Sequence, residues 1–369
     1  MKIKLLDKYI FFQVFIACLA CILIFMIIWI MPEIFLKTVQ RTINGTYTLK
    51  MGVLIILYEL PKVLNIALPV GMLLGTLLTF EKLSKDFEIT VMRGSGFPFF
   101  RIIASVIVIS VLATGFTFIV GSKLLPYTAV KLKNLKDDGY VSQFVFPVKH
   151  KDGAMDKILI VSNYDDNFIK DVIVLNFYKH NNEEKGSSLL SSIIVSDFVK
   201  YNYNDWTINS AKKYLISQEG IFESIEEIKD YKVLEGSSAV NAYKLLKYSV
   251  FRDRELTNPQ ISEYIKLLKK EKMDDEYRFM LNKYIQRYVH SLMCIIFAIL
   301  GCILGFSKPR EQRFVGMLIA VGIIFGYYIT IPFFDLLAEK DILSPIVTSM
   351  IAPVICTALI VILKKMKDL

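Results

Sequence analysis

Six stretches of this chain are long and apolar enough to cross a lipid bilayer, and no other feature restricts its fold as strongly. A hydrocarbon core about 30 Å thick needs about 20 residues of helix. Runs of that kind lie at Tyr9–Met31, Gly52–Phe80, Ile102–Ser122, Tyr288–Phe306, Phe314–Leu336 and Pro345–Leu363. Inside lipid every backbone polar group must be satisfied within the protein, so continuous runs of this length read as helices. The apolar share of 54% exceeds the roughly 45–50% of soluble proteins, which excludes a disordered, fibrous or disulfide-stapled chain. The first run could be mistaken for a signal peptide, because Lys2, Lys4 and Lys8 precede it and small residues surround Ala17–Cys21. It continues to Met31, well past any such cleavage point, which predicts a retained helix.

Lys and Arg in the short connections set the orientation. With the N-terminus inside, the inner set is Lys2, Lys4, Lys8, Lys82, Lys85, Arg93, Arg101, Lys308, Arg310, Arg313, Lys364, Lys365 and Lys367. The outer short loops hold only Lys37, Arg41, Lys50 and Lys340. Both termini are therefore expected in the cytoplasm, and the long polar stretch between the third and fourth spans is expected outside. The net charge of +9 is accounted for in this way, and no nucleic-acid partner is implied.

The expected architecture is an α-helical membrane protein with six transmembrane helices in a 3+3 arrangement, around an inserted all-β, jellyroll-like periplasmic domain. Residues 1–122 hold the first three spans, 123–287 the polar domain and 288–369 the last three. Within the middle part Lys157–Val161, Asp171–Tyr178, Ile193–Val199 and Trp206–Ile208 are rich in Val, Ile, Tyr and Phe and read as strands. After the turn signal Asn258-Pro259, Gln260–Lys270 carries Ile261, Ile265 and Leu268 at helical spacing and predicts a helix that returns the chain to the membrane.

The sequence lacks the parts of a catalyst. His150, His180 and His290 are followed by Lys, Asn and Ser, so there is no H-E-x-x-H metal helix, and there is no P-loop. Neither catalytic residues nor a metal site nor a cofactor is predicted on this chain. All five cysteines, Cys18, Cys21, Cys294, Cys302 and Cys356, sit in apolar runs, and the Cys18-x-x-Cys21 pair has no His or carboxylate beside it. Glu59 and Lys62 share one helical face toward the outer end of the second span, either as a headgroup-level ion pair or facing a substrate. Gly71/Gly75, Gly301/Gly305 and Gly322/Gly326 each repeat at a spacing that lets another backbone approach, within the chain or at a subunit interface.

The most distinctive stretch joins the second and third spans. Leu83, Phe87 and Val91 recur at i, i+4, i+8 and predict one amphipathic helix over about 81–96, ended by Gly94 and Gly96. A simple connection needs only a few polar residues. An apolar stripe here suits a docking surface for a cytoplasmic partner, or else a helix resting on lipid headgroups.

The run Leu60-Pro61-Lys62, Leu68-Pro69-Val70-Gly71, Leu77-Leu78-Thr79-Phe80, Leu83-Ser84 and Glu88-Ile89-Thr90-Val91-Met92-Arg93-Gly94-Ser95-Gly96 resembles the LptF and LptG permease subunits of the lipopolysaccharide exporter. Leu6-Asp7-Lys8-Tyr9-Ile10, Lys308-Pro309-Arg310-Glu311-Gln312-Arg313 and Gly326-Tyr327-Tyr328 fit the same family. The opening and Pro61-Lys62 lean to LptG, whereas Ile89-Thr90-Val91 is closer to LptF. The resemblance implies a second permease of the same type, a cytoplasmic LptB-like ATPase dimer that carries ATP and Mg, an LptC-like periplasmic bridge, and lipopolysaccharide as cargo. It implies that Glu88, with Phe87, Val91, Met92 and Arg93 around it, couples to the ATPase, and that spans one and five line a lateral gate. Lys37, Arg41 and Lys62 are cations near the outer headgroup level, where they would pair with lipid phosphate or act as interfacial anchors. Gly322 and Gly326 would then let a partner helix pack on span five. Two other classes compete: an ion-driven secondary transporter, which places coordinating groups near mid-bilayer, and a membrane-anchored periplasmic binding module.

Overall fold

The computed structural model describes residues 5–136, 144–149, 155–165, 168–178, 189–202, 205–306 and 314–367. Lys2, Lys4 and the basic run Lys308–Arg313 lie outside the described residues. The chain divides into two compact units. One comprises Met1–Asp138, Asp253–Asn258 and Arg278–Leu369, and the other Gly139–Arg252 and Pro259–Tyr277.

Among the described residues of the first unit, six helical stretches are long and apolar enough to cross a membrane. The first is α1 (Leu5–Ile30), prolonged through a π-helical turn at Met31–Phe35 into α2 (Leu36–Ile43). Pro32 sits in that turn, and its missing N–H is one cause of such widened turns. The second is α3 (Leu49–Lys85), which runs unbroken through Pro61 and Pro69 and starts at Thr48, whose Oγ1 accepts the Met51 N–H at 3.3 Å. Two short helices follow, α4 (Glu88–Gly94) and α5 (Phe99–Ile102), and then α6 (Ala104–Ile119). A second π-helical turn, Val120–Leu124, carries α6 into α7 (Leu125–Lys136). This helical run passes the expected boundary at residue 122, so the division between units falls at Asp138.

The remaining spans are α10 (Asp274–Gly305), α11 (Phe314–Glu339) and α12 (Pro345–Met366). Helices in lipid gain nothing from hiding apolar surface from one another, so close backbone approach and hydrogen bonds must hold them together. Two of the three glycine pairs supply the approach. A Cβ on Gly75 would lie 2.5 Å from Cys18 Cα of α1, and one on Gly71 would meet Ile22. On α10, a Cβ at Gly305 would lie 2.9 Å from Phe80 Cβ and 3.0 Å from Glu81 N, and Gly301 abuts Leu73 and Thr76. Thus α1 and α10 both press on α3, and α3 and α10 carry most of the buried residues. At the C-terminal end of α10, Lys367 donates to the carbonyls of Ile303 at 3.0 Å and Leu304 at 3.1 Å, where a cation offsets the helix dipole.

The second unit contains an antiparallel sheet of β1 (Phe144–Lys149), β2 (Met155–Asp165), β3 (Phe168–Phe177), β4 (Leu190–Asn202), β5 (Asp205–Ile216) and β6 (Phe222–Glu235), paired in sequence order as a meander. Two-residue alternation puts Phe144, Phe146, Leu159, Val161, Val172, Val174, Ile194 and Ile208 among the buried residues. Pro147, which cannot donate to a ladder, lies on the edge strand β1. Next comes α8 (Gly236–Ser249), which buries Ala239, Ala242, Leu245 and Leu246 and accepts the Trp206 Nε1–H at the Ala239 carbonyl, 3.2 Å away. The expected return helix is α9 (Asn258–Lys270), with Ile261, Tyr264 and Leu268 buried. The meander contains all four expected strands, and adds β1 and β6.

Candidate functional site

The segment between the second and third spans differs from the single helix expected over about 81–96. The first helix ends at Lys85, Phe87 turns left-handed at φ 60°, and a new short helix α4 begins at Glu88. A bulky residue in that region is uncommon and costs on the order of 1–2 kcal/mol. The break rotates the expected stripe apart. Leu83 is buried on α3, while Phe87 and Val91 are exposed at 54% and 66%. Instead, Ile89 and Met92 anchor α4 in the core of the helical unit, packed with Leu83, Phe99 and Ile102. Of the five residues predicted to couple to an ATPase, Phe87, Val91 and Arg93 are exposed, Met92 faces inward and Glu88 is half-exposed.

Two contacts fix this segment. Tyr9 Oη on α1 donates to Glu88 Oε1 at 2.9 Å, and the Arg93 guanidinium lies 5.5 Å from the centre of the Phe306 ring. Nearby, Arg101 grips Asp7 with two parallel bonds of 2.7 Å, and Ser105 Oγ donates to the Asp7 carbonyl at 3.1 Å. A bidentate pair of this kind holds α1 and α5 in one relative orientation. The first helix and the loop helix are thereby locked through Tyr9 and Asp7 together.

At the other end of the spans, Lys37 and Arg41 line a cavity of ≈ 260 Å³ together with Glu33, Tyr47, Glu59 and Lys136. The Arg41 Nη1 donates to Tyr47 Oη at 2.5 Å, and its guanidinium sits 5.5 Å from that ring. Glu59 accepts Lys136 at 3.3 Å and pairs with Lys62 at 3.7 Å. The structure therefore brings Lys37 and Arg41 to one cavity and ties Lys62 to its wall through Glu59. Lys136, absent from the sequence expectation, belongs to the same group; only the fold shows that α7 returns alongside α3.

The third glycine pair behaves differently from the first two. A Cβ at Gly322 or Gly326 would meet nothing within 4 Å, and both are exposed. On the same helix Leu318, Phe325, Ile329 and Phe333 are exposed as well, so this side of α11 packs on nothing among the described residues.

A polar cluster inside the last three spans was not expected. Asp335 on α11 accepts from Asn282 Nδ2 at 2.7 Å, from Lys283 Nζ at 2.6 Å and from Gln286. The Asn282 Oδ1 in turn accepts Ser349 Oγ at 2.7 Å and Thr348 Oγ1 at 3.3 Å from α12. Its signal was present: an acid just inside the fifth apolar run, and polar residues at 282, 283, 286, 287 and 290, which share one side of a helix. Among the described residues no group of three or more His, Cys, Asp or Glu could hold a metal ion, and the five cysteines are free and buried.

The chain matches the family model described as "Lipopolysaccharide export system permease LptF/LptG" over residues 8–365. A search of curated proteins finds no match. The family model covers LptF and LptG jointly, and the lean of single residues to one or the other is not distinguished by it.

Proposed function

Because the chain belongs to the LptF/LptG family of lipopolysaccharide export permeases, we propose that it is the non-catalytic membrane subunit of an ATP-driven exporter. As a multi-pass protein of the inner membrane it takes lipopolysaccharide from the outer leaflet and hands it to a periplasmic bridge of the LptC type. Both termini lie in the cytoplasm and the β-sheet unit lies in the periplasm; the distribution of Lys and Arg between the short connections supports that orientation. An LptB-like ATPase dimer binds at α4, and a second LptF/LptG-type permease packs on the open glycine side of α11. The chain carries no phosphate-binding loop, so ATP and Mg belong to the ATPase.

The observation that carries this reading is α4: a short helix held in place by Ile89 and Met92 that turns Phe87 and Val91 outward, with Glu88 beside them. Large apolar side chains exposed on a rigidly anchored element are what an interface hot spot requires. The Phe87 backbone strain points the same way, since such conformations gather at functional segments. At the opposite ends of the spans, Lys37, Arg41 and Lys62 meet lipid phosphate.

Purification of the tagged chain from native membranes in mild detergent, with mass spectrometry of what accompanies it, tests the assignment. Recovery of a P-loop ATPase and a second six-span chain is the expected outcome; a chain that comes out alone in several mild detergents refutes it. Glu88→Ala should loosen ATPase binding by roughly 2–5 kcal/mol if the carboxylate meets a buried cation there. Tyr9→Phe, which removes the intramolecular bond and leaves the carboxylate, should retain binding. Equal retention by both variants would remove Glu88 from the interface.

A further inference from the structure

Proline inside a helix leaves the carbonyl four residues earlier without its main-chain donor, and the helix tends to bend there. In α3 the carbonyl so orphaned by Pro69 is that of Asn65. His290 Nε2 of α10 lies 2.9 Å from this oxygen. A carbonyl can only accept, so Nε2 carries the proton, and Nδ1 on the other side of the ring lies 3.3 Å from Tyr327 Oη. One residue on, Tyr328 Oη of α11 donates to the Ile66 carbonyl at 3.0 Å. The two successive carbonyls ahead of Pro69 are thus held by side chains of two other spans. They face a cavity of ≈ 320 Å³, against whose wall the Asn65 Oδ1 is buried with no hydrogen-bond partner among the described residues. Space and an unsatisfied acceptor beside the proline leave room for α3 to change its bend.

We propose that His290 and Tyr328 are positioning residues that set the bend of α3 at Pro69 and so link spans four and five to α4 at the far end of the same helix. The helix from Val70 to Lys85 runs on without further proline and ends one residue before the turn into α4. A rigid segment of that length converts a small change of bend into a lateral shift at its tip. Tyr328 belongs to the helix whose glycine side is open, so a partner's movement against α11 reaches α3 through this hydroxyl. The consequence for α4 rests on the proposed function, whereas the pairing at Pro69 does not.

The test is a double-mutant cycle in the assembled exporter, reconstituted in nanodiscs with and without lipopolysaccharide, reading stimulated ATPase activity. His290→Leu should lower the stimulation at least threefold. His290→Gln, whose amide can donate to the same carbonyl, should keep most of it. Pro69→Ala restores a main-chain donor to Asn65, so His290→Leu on that background should cost less than 1.5-fold further. Tyr328→Phe should cost about twofold in either background, since Pro69 does not orphan Ile66. Equal losses for His290→Leu with and without Pro69, or a Gln variant as impaired as Leu, would overturn the proposal. Should the wild-type complex show no stimulation, the functional reading fails. The same cycle on the midpoint of SDS unfolding of the chain alone then decides the pairing: non-additivity of His290 and Pro69 upholds it and additivity refutes it.

Discussion

Asp335→Leu should destabilise the isolated chain. Its carboxylate accepts three side-chain hydrogen bonds from α10, and one of the donors is the Lys283 ammonium at 2.6 Å. Side-chain exposure is 16% for Asp335 and 23% for Lys283, so the pair is largely removed from solvent. Truncating one member of a buried pair costs about 3–5 kcal/mol, most of it from the charge left without a partner. The long stem of Lys283 can carry its head outward and recover part of that loss. The Asn282 side chain keeps its acceptor role toward Ser349 and Thr348. The expected net loss is therefore about 2–4 kcal/mol. An equilibrium SDS titration of the purified chain, followed by circular dichroism, measures it. Because a buried pair contributes little beyond well-packed apolar replacements, the double variant Asp335→Leu/Lys283→Leu should regain at least half of the loss. A single variant within about 0.5 kcal/mol of wild type, or a double variant whose loss equals the sum of the two singles, would refute the argument.

Two further outcomes follow from packing and charge. Gly75→Val places branched carbon against the Cys18 backbone, where even a Cβ would lie at 2.5 Å, and should destabilise the chain by about 1–3 kcal/mol, whereas Gly322→Val should leave the isolated chain unchanged and weaken assembly with a partner; SDS titration and co-purification separate the two. In the β-sheet unit, the hydrogen bond from Tyr248 and then that from Lys244 hold the Glu263 carboxyl below its ordinary value, and burial and that carboxylate push the Tyr248 phenol up to about 12. A depressed acid stabilises above its ordinary value and the contribution is lost as pH falls through the depressed one, so the extra hydrogen-exchange protection of α8 and α9 in wild type over Glu263→Gln should be present at neutral pH and fade in acid as the Glu263 carboxylate takes up its proton. A difference that persists in acid would show that the side chain acts by packing alone.

The spans were legible because lipid permits few alternatives: a run of about 20 apolar residues has to be a helix. The glycine spacing was legible too, but not what each pair meets; only the fold separates Gly75 against Cys18 from Gly322 against nothing. The break at Phe87 left no trace, since neither Gly nor Pro occurs from Lys82 to Arg93 and the local pattern favours an unbroken helix. What overrides it is tertiary: the break allows Leu83 on α3 and Ile89 and Met92 on α4 to reach one core. Strand β6 was missed because most of its residues are exposed and seven are Glu, Asp or Lys, so no alternation marks it. The Asp335 cluster was visible residue by residue, but pairing it required knowing that α10, α11 and α12 lie side by side.

Contacts from α1, α7, α10 and α11 converge on α3. Its middle takes α1 at Gly71 and Gly75 and α10 through Gly301 and Gly305, both at backbone distance. Its N-terminal half takes Lys136 at Glu59, His290 at Asn65 and Tyr328 at Ile66, and its C-terminal tip passes into α4. Backbone-to-backbone packing has little slack, because a gap of only about 0.5–1 Å already forfeits roughly a quarter to a half of the contact energy. Side-chain hydrogen bonds to carbonyls can lengthen, break and re-form over the width of a water molecule. Among the contacts of α3, a displacement therefore costs least where α11 meets it through Tyr328, and most where α10 meets it through glycine. The α3–α10 pair is thus the tightest seam of the unit, and α11 is tied to it by side-chain hydrogen bonds, through Tyr328 at Ile66 and through Asp335 at Asn282 and Lys283.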